Sequence, residues 1–329
     1  MTALRRVRVL GTGSHAPDRR LTNDELSRIV QTSDQWIVER TGIKERRIAA
    51  PEEAVSDLAL VAARRALEAA ELRPEDVDMI VFATSTPDRV VPASAVYLQK
   101  KLGAFNAGAV DNLAACSGFV YAFATGSALV AAGRSQRCLV VGSEILSKFT
   151  DYQDRTTCIL FGDGAGAVVL APSEDSSDVL FAKVGADGRM EDLIIALAGG
   201  TARMVTPEAW ERREIYIKMK GREVYKFAVP KFVELIREAL TACGMRPEDL
   251  DLLVPHQMNL RMIEAVCERL GFPMSKVLMN IQNYGNTSSA SIPLALDEAV
   301  RGGRVRRGDR ILMIAMGAGL TWGTIILRW

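Results

Sequence analysis

The feature that most limits what this chain can fold into is an internal echo. Residues 73–81 read RPEDVDMIV, and residues 246–254 read RPEDLDLLV, an offset of 173 positions. The match continues on both sides in the same register. Upstream, Arg64, Ala66 and Leu67 fall opposite Arg237, Ala239 and Leu240; downstream, CLVVG at 138–142 falls opposite ILMIA at 311–315. A period of about half the 329-residue chain describes two copies of one unit, since solenoid repeats are far shorter. Each copy reads helix, Pro-Glu-Asp turn, apolar strand, helix, apolar strand. The helices are marked by apolar residues at i, i+3 and i+4 in 58–70 and 232–242.

Strand candidates are 77–83, 136–142, 165–171, 250–254, 310–316 and 323–328. Short apolar runs alternating with helices predict an α/β fold with mostly parallel sheets covered on both faces. The polar stretch 172–178 (PSEDSSD) is the natural joint, giving halves at 1–173 and 174–329. Residues 113–133 carry no charge over a membrane-spanning length. Ala, Gly, Ser and Thr dominate them, however, which suits a helix packed on all sides inside a protein. No membrane partner is expected.

Composition narrows the function classes. Lys+Arg 41 against Asp+Glu 40 leaves a net charge of +1, which provides no field to draw nucleic acid. Five cysteines without a C-x-x-C pair fit free thiols in a reducing compartment. The opening residues MTALRRVRVL lack the apolar run of a signal peptide, so a cytoplasmic location is expected. Only His15 and His256 supply imidazole, and no metal site is expected.

Four segments stand out as chemistry. Cys116, in AACSG at 114–118, precedes the uncharged helix, where free N–H groups favour a thiolate and can hold an oxyanion. His256 ends the second repeated strand, at a position that is Ala83 in the first copy. Asn286 lies in the loop NYGNTSS at 283–289, ahead of a helix whose first turn holds Pro293. The segment GAGLTWG at 317–323 joins two strands through glycines that permit close backbone approach. Singly, each has an ordinary reading as a buried core cysteine, a structural histidine or a turn.

Together and in this order, ACSG, HQMNLR (256–261), YGNTS (284–288) and GAGLTWG resemble the bacterial β-ketoacyl-acyl-carrier-protein synthase III family of the thiolase superfamily. The resemblance spans nearly the whole chain, taking in TSDQWI (32–37), RTGI (40–43), DRTT (154–157), FGDGAG (161–166) and GREVYK (221–226). It implies a thiolase-like five-layered αβαβα fold of two duplicated halves. The implied reaction is a decarboxylating Claisen condensation of an acyl-CoA primer with malonyl-acyl carrier protein (ACP), giving 3-oxoacyl-ACP and initiating fatty acid synthesis.

By the same resemblance Cys116 is the nucleophile, and His256 and Asn286 donate hydrogen bonds to the malonyl thioester carbonyl. The N–H groups of Cys116 and Ala318 form the oxyanion hole. Thr32, Trp36, Arg155 and Asn259 contact coenzyme A, and Lys226 and Arg261 contact ACP. Val91, Leu146, Phe149 and Phe161 border the acyl pocket. The family forms homodimers through the N-terminal halves, with 87–92 reaching the partner's pocket. The coenzyme A thioester is a substrate, and no resident cofactor is implied.

The residue inventory discriminates among relatives. Elongating ketosynthases need a second histidine in the C-terminal half, and thiolases a second cysteine in the final glycine turn; neither is present. Departures from the family pattern fall at Met258, Ala318, Leu320 and Asn112-Leu113. Val91 stands where strictly short-chain members carry Phe, so primers longer or more branched than acetyl are expected. The alternative is a related acyltransferase or condensing enzyme of secondary metabolism or cofactor synthesis, using a non-acetyl primer. A dinucleotide fingerprint at Gly11-Thr12-Gly13 fails, because Pro17 and a charged stretch follow where a helix must open.

Overall fold

The computed structural model describes residues 4–329. Five strands build the first sheet: β1 (Val7–His15), β2 (Met79–Ala83), β3 (Gly108–Asn112), β4 (Cys138–Ile145) and β5 (Asp163–Pro172). Their order is β1-β5-β4-β2-β3. Four strands build the second: β6 (Asp178–Ala186), β7 (Leu252–Pro255), β8 (Arg310–Gly317) and β9 (Thr321–Arg328), in the order β7-β8-β9-β6. The polar stretch 172–178 thus links the last strand of one sheet to the first of the other.

The expectation of mostly parallel sheets fails. Strand β2 runs parallel to β3 and β4, but β5 is antiparallel to both β4 and β1. In the second sheet only β7 and β8 are parallel. Apolar runs report burial on both faces, not direction. The short 317–321 turn makes β8 and β9 a hairpin, whereas a parallel pair needs a long crossover.

The main helices are α1 (Asp34–Thr41), α2 (Val55–Ala69), α3 (Ser94–Leu102), α4 (Gly118–Ala131), α5 (Gly221–Ala242), α6 (Leu260–Leu270) and α7 (Ser291–Arg301). Strand alternation sorts the side chains into layers. In β2, Ile80 and Phe82 pack outward on α2 and α3, while Val81 and Ala83 face a central core. In β8, Ile311 and Met313 enter that same core, and Leu312 and Ile314 pack outward with α5 and α6. Phe119 and Phe123 of α4 and Ile292 and Leu296 of α7 fill the centre. The result is five layers, αβαβα.

The uncharged stretch is therefore the helix sandwiched between two sheets, and no helix among the described residues is long and apolar enough to cross a membrane. The echo recurs in the backbone. Ala115 and Ser288, 173 positions apart, adopt φ of 46° and 48°. Each opens a 3₁₀ turn, Ala115–Ser117 ahead of α4 and Ser288–Ala290 ahead of α7. Residues 187–220 form a cap, tied down where Ile194 and Ile195 pair with Met219 and Lys218.

Candidate active site

Three chain segments deliver the candidate triad. Cys116 sits in the turn between β3 and α4. A Cβ at Gly317 would lie 2.6 Å from the Ala114 carbonyl and 2.8 Å from the Cys116 nitrogen, so only glycine lets the 317–321 turn close on the nucleophile. Ala318, in that turn, has φ outside the left-handed region, so an alanine is accepted there. His256 follows the end of β7, and its N–H donates to the Ile314 carbonyl at 2.7 Å.

Asn286 is held by the neighbouring 160–162 segment. Its N–H donates to the Leu160 carbonyl (2.8 Å), and its carbonyl accepts from the Gly162 N–H (3.0 Å). A Cβ at Gly162 would lie 2.2 Å from the Tyr284 carbonyl, so this contact also needs glycine. The Asn286 Oδ1 accepts from the Ser288 N–H at 2.8 Å. That bond assigns the amide orientation and leaves Nδ2 free to donate.

Cys116, His256 and Asn286 meet in one cavity of about 500 Å³. Leu160, Phe161, Met316 and Leu320 give it an apolar wall, while Trp36, Arg40 and Arg222 stand at its mouth. The guanidinium groups of Arg40 and Arg155 lie 4.4 and 5.1 Å from the centre of the Trp36 ring. An aromatic plane flanked by two cations suits a ligand carrying both a base and phosphates.

Burial governs the electrostatics. It pushes the Cys116 thiol up to about 12, with Ser288 and Asn286 pulling down and the Glu144 carboxylate adding to the rise. The thiolate expected from the helix N-terminus is thus overruled by desolvation, and the resting group is a thiol. Burial likewise lowers His256 to about 3, so the ring is neutral. Its Nδ1 lies 2.7 Å from the Ser291 Oγ.

Glu144, which no motif pointed to, is completely buried at the end of β4. It accepts from the Ser85 N–H (3.0 Å), the Thr86 hydroxyl (2.8 Å) and the Ser288 hydroxyl (3.1 Å). Burial raises its pKa against the opposing pull of the Thr86 and Ser85 donors. The carboxyl ties the loop after β2 to the loop carrying Asn286.

Other expected residues divide. Trp36, Asn259 and Phe161 line the cavity, as do the departures Met258 and Leu320. Asn259 also bridges helices, its Nδ2 donating to the Arg40 carbonyl (2.8 Å) and its Oδ1 capping α6. Arg155 reaches Trp36 from outside the lining and donates to the Gln31 carbonyl at 3.3 Å. Thr32 lies beside them, outside the lining, with its buried Oγ1 lacking a hydrogen-bond partner among the described residues. Lys226 and Arg261 are exposed in the early turns of α5 and α6.

The acyl-pocket set is only partly within reach of one chain. Only Phe161 lines this chain's cavity. Leu146 is buried behind the cavity wall in the same apolar cluster as Leu160 and Phe161, Phe149 is 37% exposed, and Val91, expected to reach the partner's pocket, is 77% exposed on a surface segment. Lining residues that sequence reasoning did not single out include Arg40, Arg222, Tyr225 and the cap residues Ile194 and Met219. Arg40 lay in RTGI, and Arg222 and Tyr225 in GREVYK; the cap residues carried no periodic pattern.

Comparisons with known proteins agree with this geometry. The family described as 3-oxoacyl-[acyl-carrier-protein] synthase III matches residues 110–188, and its C-terminal family matches 240–329. The β-ketoacyl-[acyl-carrier-protein] synthase III of Caldanaerobacter subterraneus subsp. tengcongensis is 49% identical over 321 residues, covering 98% of this chain and 97% of the relative. This chain belongs to the β-ketoacyl-[acyl-carrier-protein] synthase III family. The Aquifex aeolicus synthase III crystal structure superposes with a TM-score of 0.91 at 47% identity, covering 98% of this chain and 100% of that one. The priming β-ketosynthase of the R1128 polyketide pathway gives 0.92 at 38% identity, covering 100% and 98%. The synthase III fold is thus thiolase-like, and the chain is an acyltransferase of fatty acid biosynthesis. The higher identity to the synthase III relatives favours this reading over a specialised acyltransferase.

Proposed function

We propose that this synthase III condenses an acyl-CoA primer with malonyl-ACP, releasing coenzyme A and CO₂ and forming 3-oxoacyl-ACP. The observation that carries the reading is the convergence of Cys116, His256 and Asn286 in one apolar cavity with a cationic, aromatic mouth. The Cys116 sulfur attacks the acyl-CoA carbonyl, the carbon–sulfur bond to coenzyme A breaks, and an acyl-enzyme remains. The N–H groups of Cys116 and Ala318 hold the oxyanion, at ~10²–10³ in rate per donor. Malonyl-ACP then enters, and loss of CO₂ leaves an enolate whose oxygen is held by His256 and by Asn286 Nδ2. The enolate carbon attacks the acyl thioester and frees Cys116. Trp36 and Arg155 hold the adenine end of coenzyme A, and Lys226 and Arg261 face the carrier protein.

Homodimerisation through the N-terminal half fits the surface. Strand β3 is the sheet edge, and Val110 on it and Leu113 just beyond it are 42% and 75% exposed, with Phe105 at 73% nearby. Five free cysteines fit a reducing, cytoplasmic setting.

The test is intact-protein mass spectrometry after incubation with a panel of acyl-CoAs. Wild type gains one acyl group and Cys116→Ala gains none. Asn286→Ala still acylates but releases CO₂ from malonyl-ACP ~10²–10³-fold more slowly. Acylation of Cys116→Ala at another cysteine would overturn the assignment.

A further inference from the structure

His256 and Ser291 are both 2% exposed and meet through Nδ1 and Oγ at 2.7 Å. The Ser291 hydroxyl also lies 2.8 Å from the Ser288 carbonyl oxygen. A carbonyl oxygen can only accept, so the single hydroxyl proton of Ser291 is committed to Ser288. Its oxygen must then accept from the ring, which places the histidine proton on Nδ1. The neutral imidazole therefore presents a lone pair at Nε2 to the cavity, not an N–H.

We infer that Ser291 is a positioning residue that fixes His256 in the Nδ1–H tautomer, so that Nε2 alternates between accepting and donating a proton. The inference rests on the condensing function proposed above. In acylation, Nε2 takes the Cys116 thiol proton, the sulfur attacks the primer carbonyl, and the departing coenzyme A sulfur receives that proton. The ring ends this half neutral. In condensation, docking of the malonyl carboxylate draws one proton from water onto Nε2, and the resulting N–H holds the enolate oxygen as the bond to CO₂ breaks. When the new carbon–carbon bond forms, the Cys116–acyl bond breaks and the thiolate takes the proton from Nε2. One proton is consumed per turnover, matching loss of a carboxylate as CO₂.

Few groups compete for control of the ring. The titratable neighbours are the Cys116 thiol, at the start of α4, and Glu144, from the end of β4, bound to the Ser288 hydroxyl. Asn286 from its loop and Ser291 from α7 are uncharged. Burial lowers the ring's pKa, and the Ser291 hydroxyl decides which nitrogen holds its proton.

The chain holds only two histidines, so ¹⁵N-histidine labelling of the full-length protein gives two imidazoles, and His15→Gln assigns them. The expected spectrum of His256 has a protonated Nδ1 and an unprotonated Nε2. Ser291→Ala shifts it toward Nε2–H and slows Cys116 acylation ~10- to 100-fold, less than the ~10²–10⁴ of losing a general base outright, because the imidazole itself stays. Ser291→Thr, keeping the hydroxyl, stays near wild type. Malonyl decarboxylation by the acyl-enzyme slows as pH rises in wild type, and Ser291→Ala loses that decline because its Nε2–H needs no proton uptake. A wild-type Nε2–H signal overturns the inference even if Ser291→Ala fails to fold, and leaves the condensing function standing. Failure of every acyl-CoA to load Cys116 overturns the function instead.

Discussion

At Cys116 two effects compete. Free N–H groups at the start of α4 favour a thiolate, while removal from water favours the thiol, and burial wins. The expected consequence is that iodoacetamide alkylation of Cys116 in the substrate-free enzyme climbs steadily from about pH 7 to about pH 9. A plateau near neutrality, as in cysteines with depressed pKa values, would count against it. His256 carries the matching stability cost. Its folded pKa of about 3 lies below the 6.5 of an exposed ring, so the unfolded chain binds the extra proton. The stability from keeping the ring neutral is therefore complete above about pH 6.5 and is lost as pH falls toward 3. Asp163 acts in the opposite sense, because burial raises it to about 6 and the folded state protonates first. The His256 contribution is isolated by a comparison of urea midpoints: between about pH 6.5 and about pH 4.5, wild type loses more stability than His256→Asn, which keeps the buried carboxyls Asp163 and Glu144 but lacks the imidazole. Equal losses would place His256 in a wetter setting than the fold gives it.

The elements owe their arrangement to α4, which is covered by a sheet on each side. Phe123 on this helix is fully buried in the central core with Phe119, their ring centroids 6.1 Å apart. Phe123→Ala opens a cavity there at a cost of about 3–5 kcal/mol, read as a Tm several degrees lower by calorimetry. A change of under a degree would mean the centre is loosely packed. The position of α4 was legible, since only a helix packed on all sides tolerates 113–133 without charge. Strands β2, β4, β7 and β8 were legible too, because the echo repeats their apolar runs. The antiparallel course of β5 and β9 was not, because burial on both faces looks the same in either direction. The cap stayed hidden because its paired segments, Ile194–Ile195 and Lys218–Met219, are too short to show a period. Among site residues, the triad candidates lay in motifs. Glu144 and Ser291 did not stand out, because their partners arrive from segments far apart in the chain.

On the scale of the whole molecule, one chain's cavity accounts for the triad but not for Val91. This residue and Val90 are 77% and 92% exposed, on the segment that follows the Glu144-anchored loop. Exposed valines beside an unpaired sheet edge are what an isologous two-fold contact would cover. Light scattering is therefore expected to give twice the 35.9 kDa chain mass at micromolar concentration. If the segment enters the partner's cavity, Val91 sets primer length from the opposite subunit. Val91→Phe would remove room for about two methylenes, roughly 1.6 kcal/mol at ~0.8 each, and shift the butyryl-CoA to acetyl-CoA kcat/KM ratio about tenfold toward acetyl. Mixed dimers decide which subunit's pocket it shapes. When a chain carrying both Cys116→Ala and Val91→Phe is paired with a wild-type chain and the mixed dimer is isolated by two affinity tags, the only working cysteine belongs to the chain that retains Val91. Narrowed primer choice in that species shows the residue acting across the interface. Unchanged selectivity there, with narrowed selectivity in the Val91→Phe homodimer, would return the gate to its own subunit.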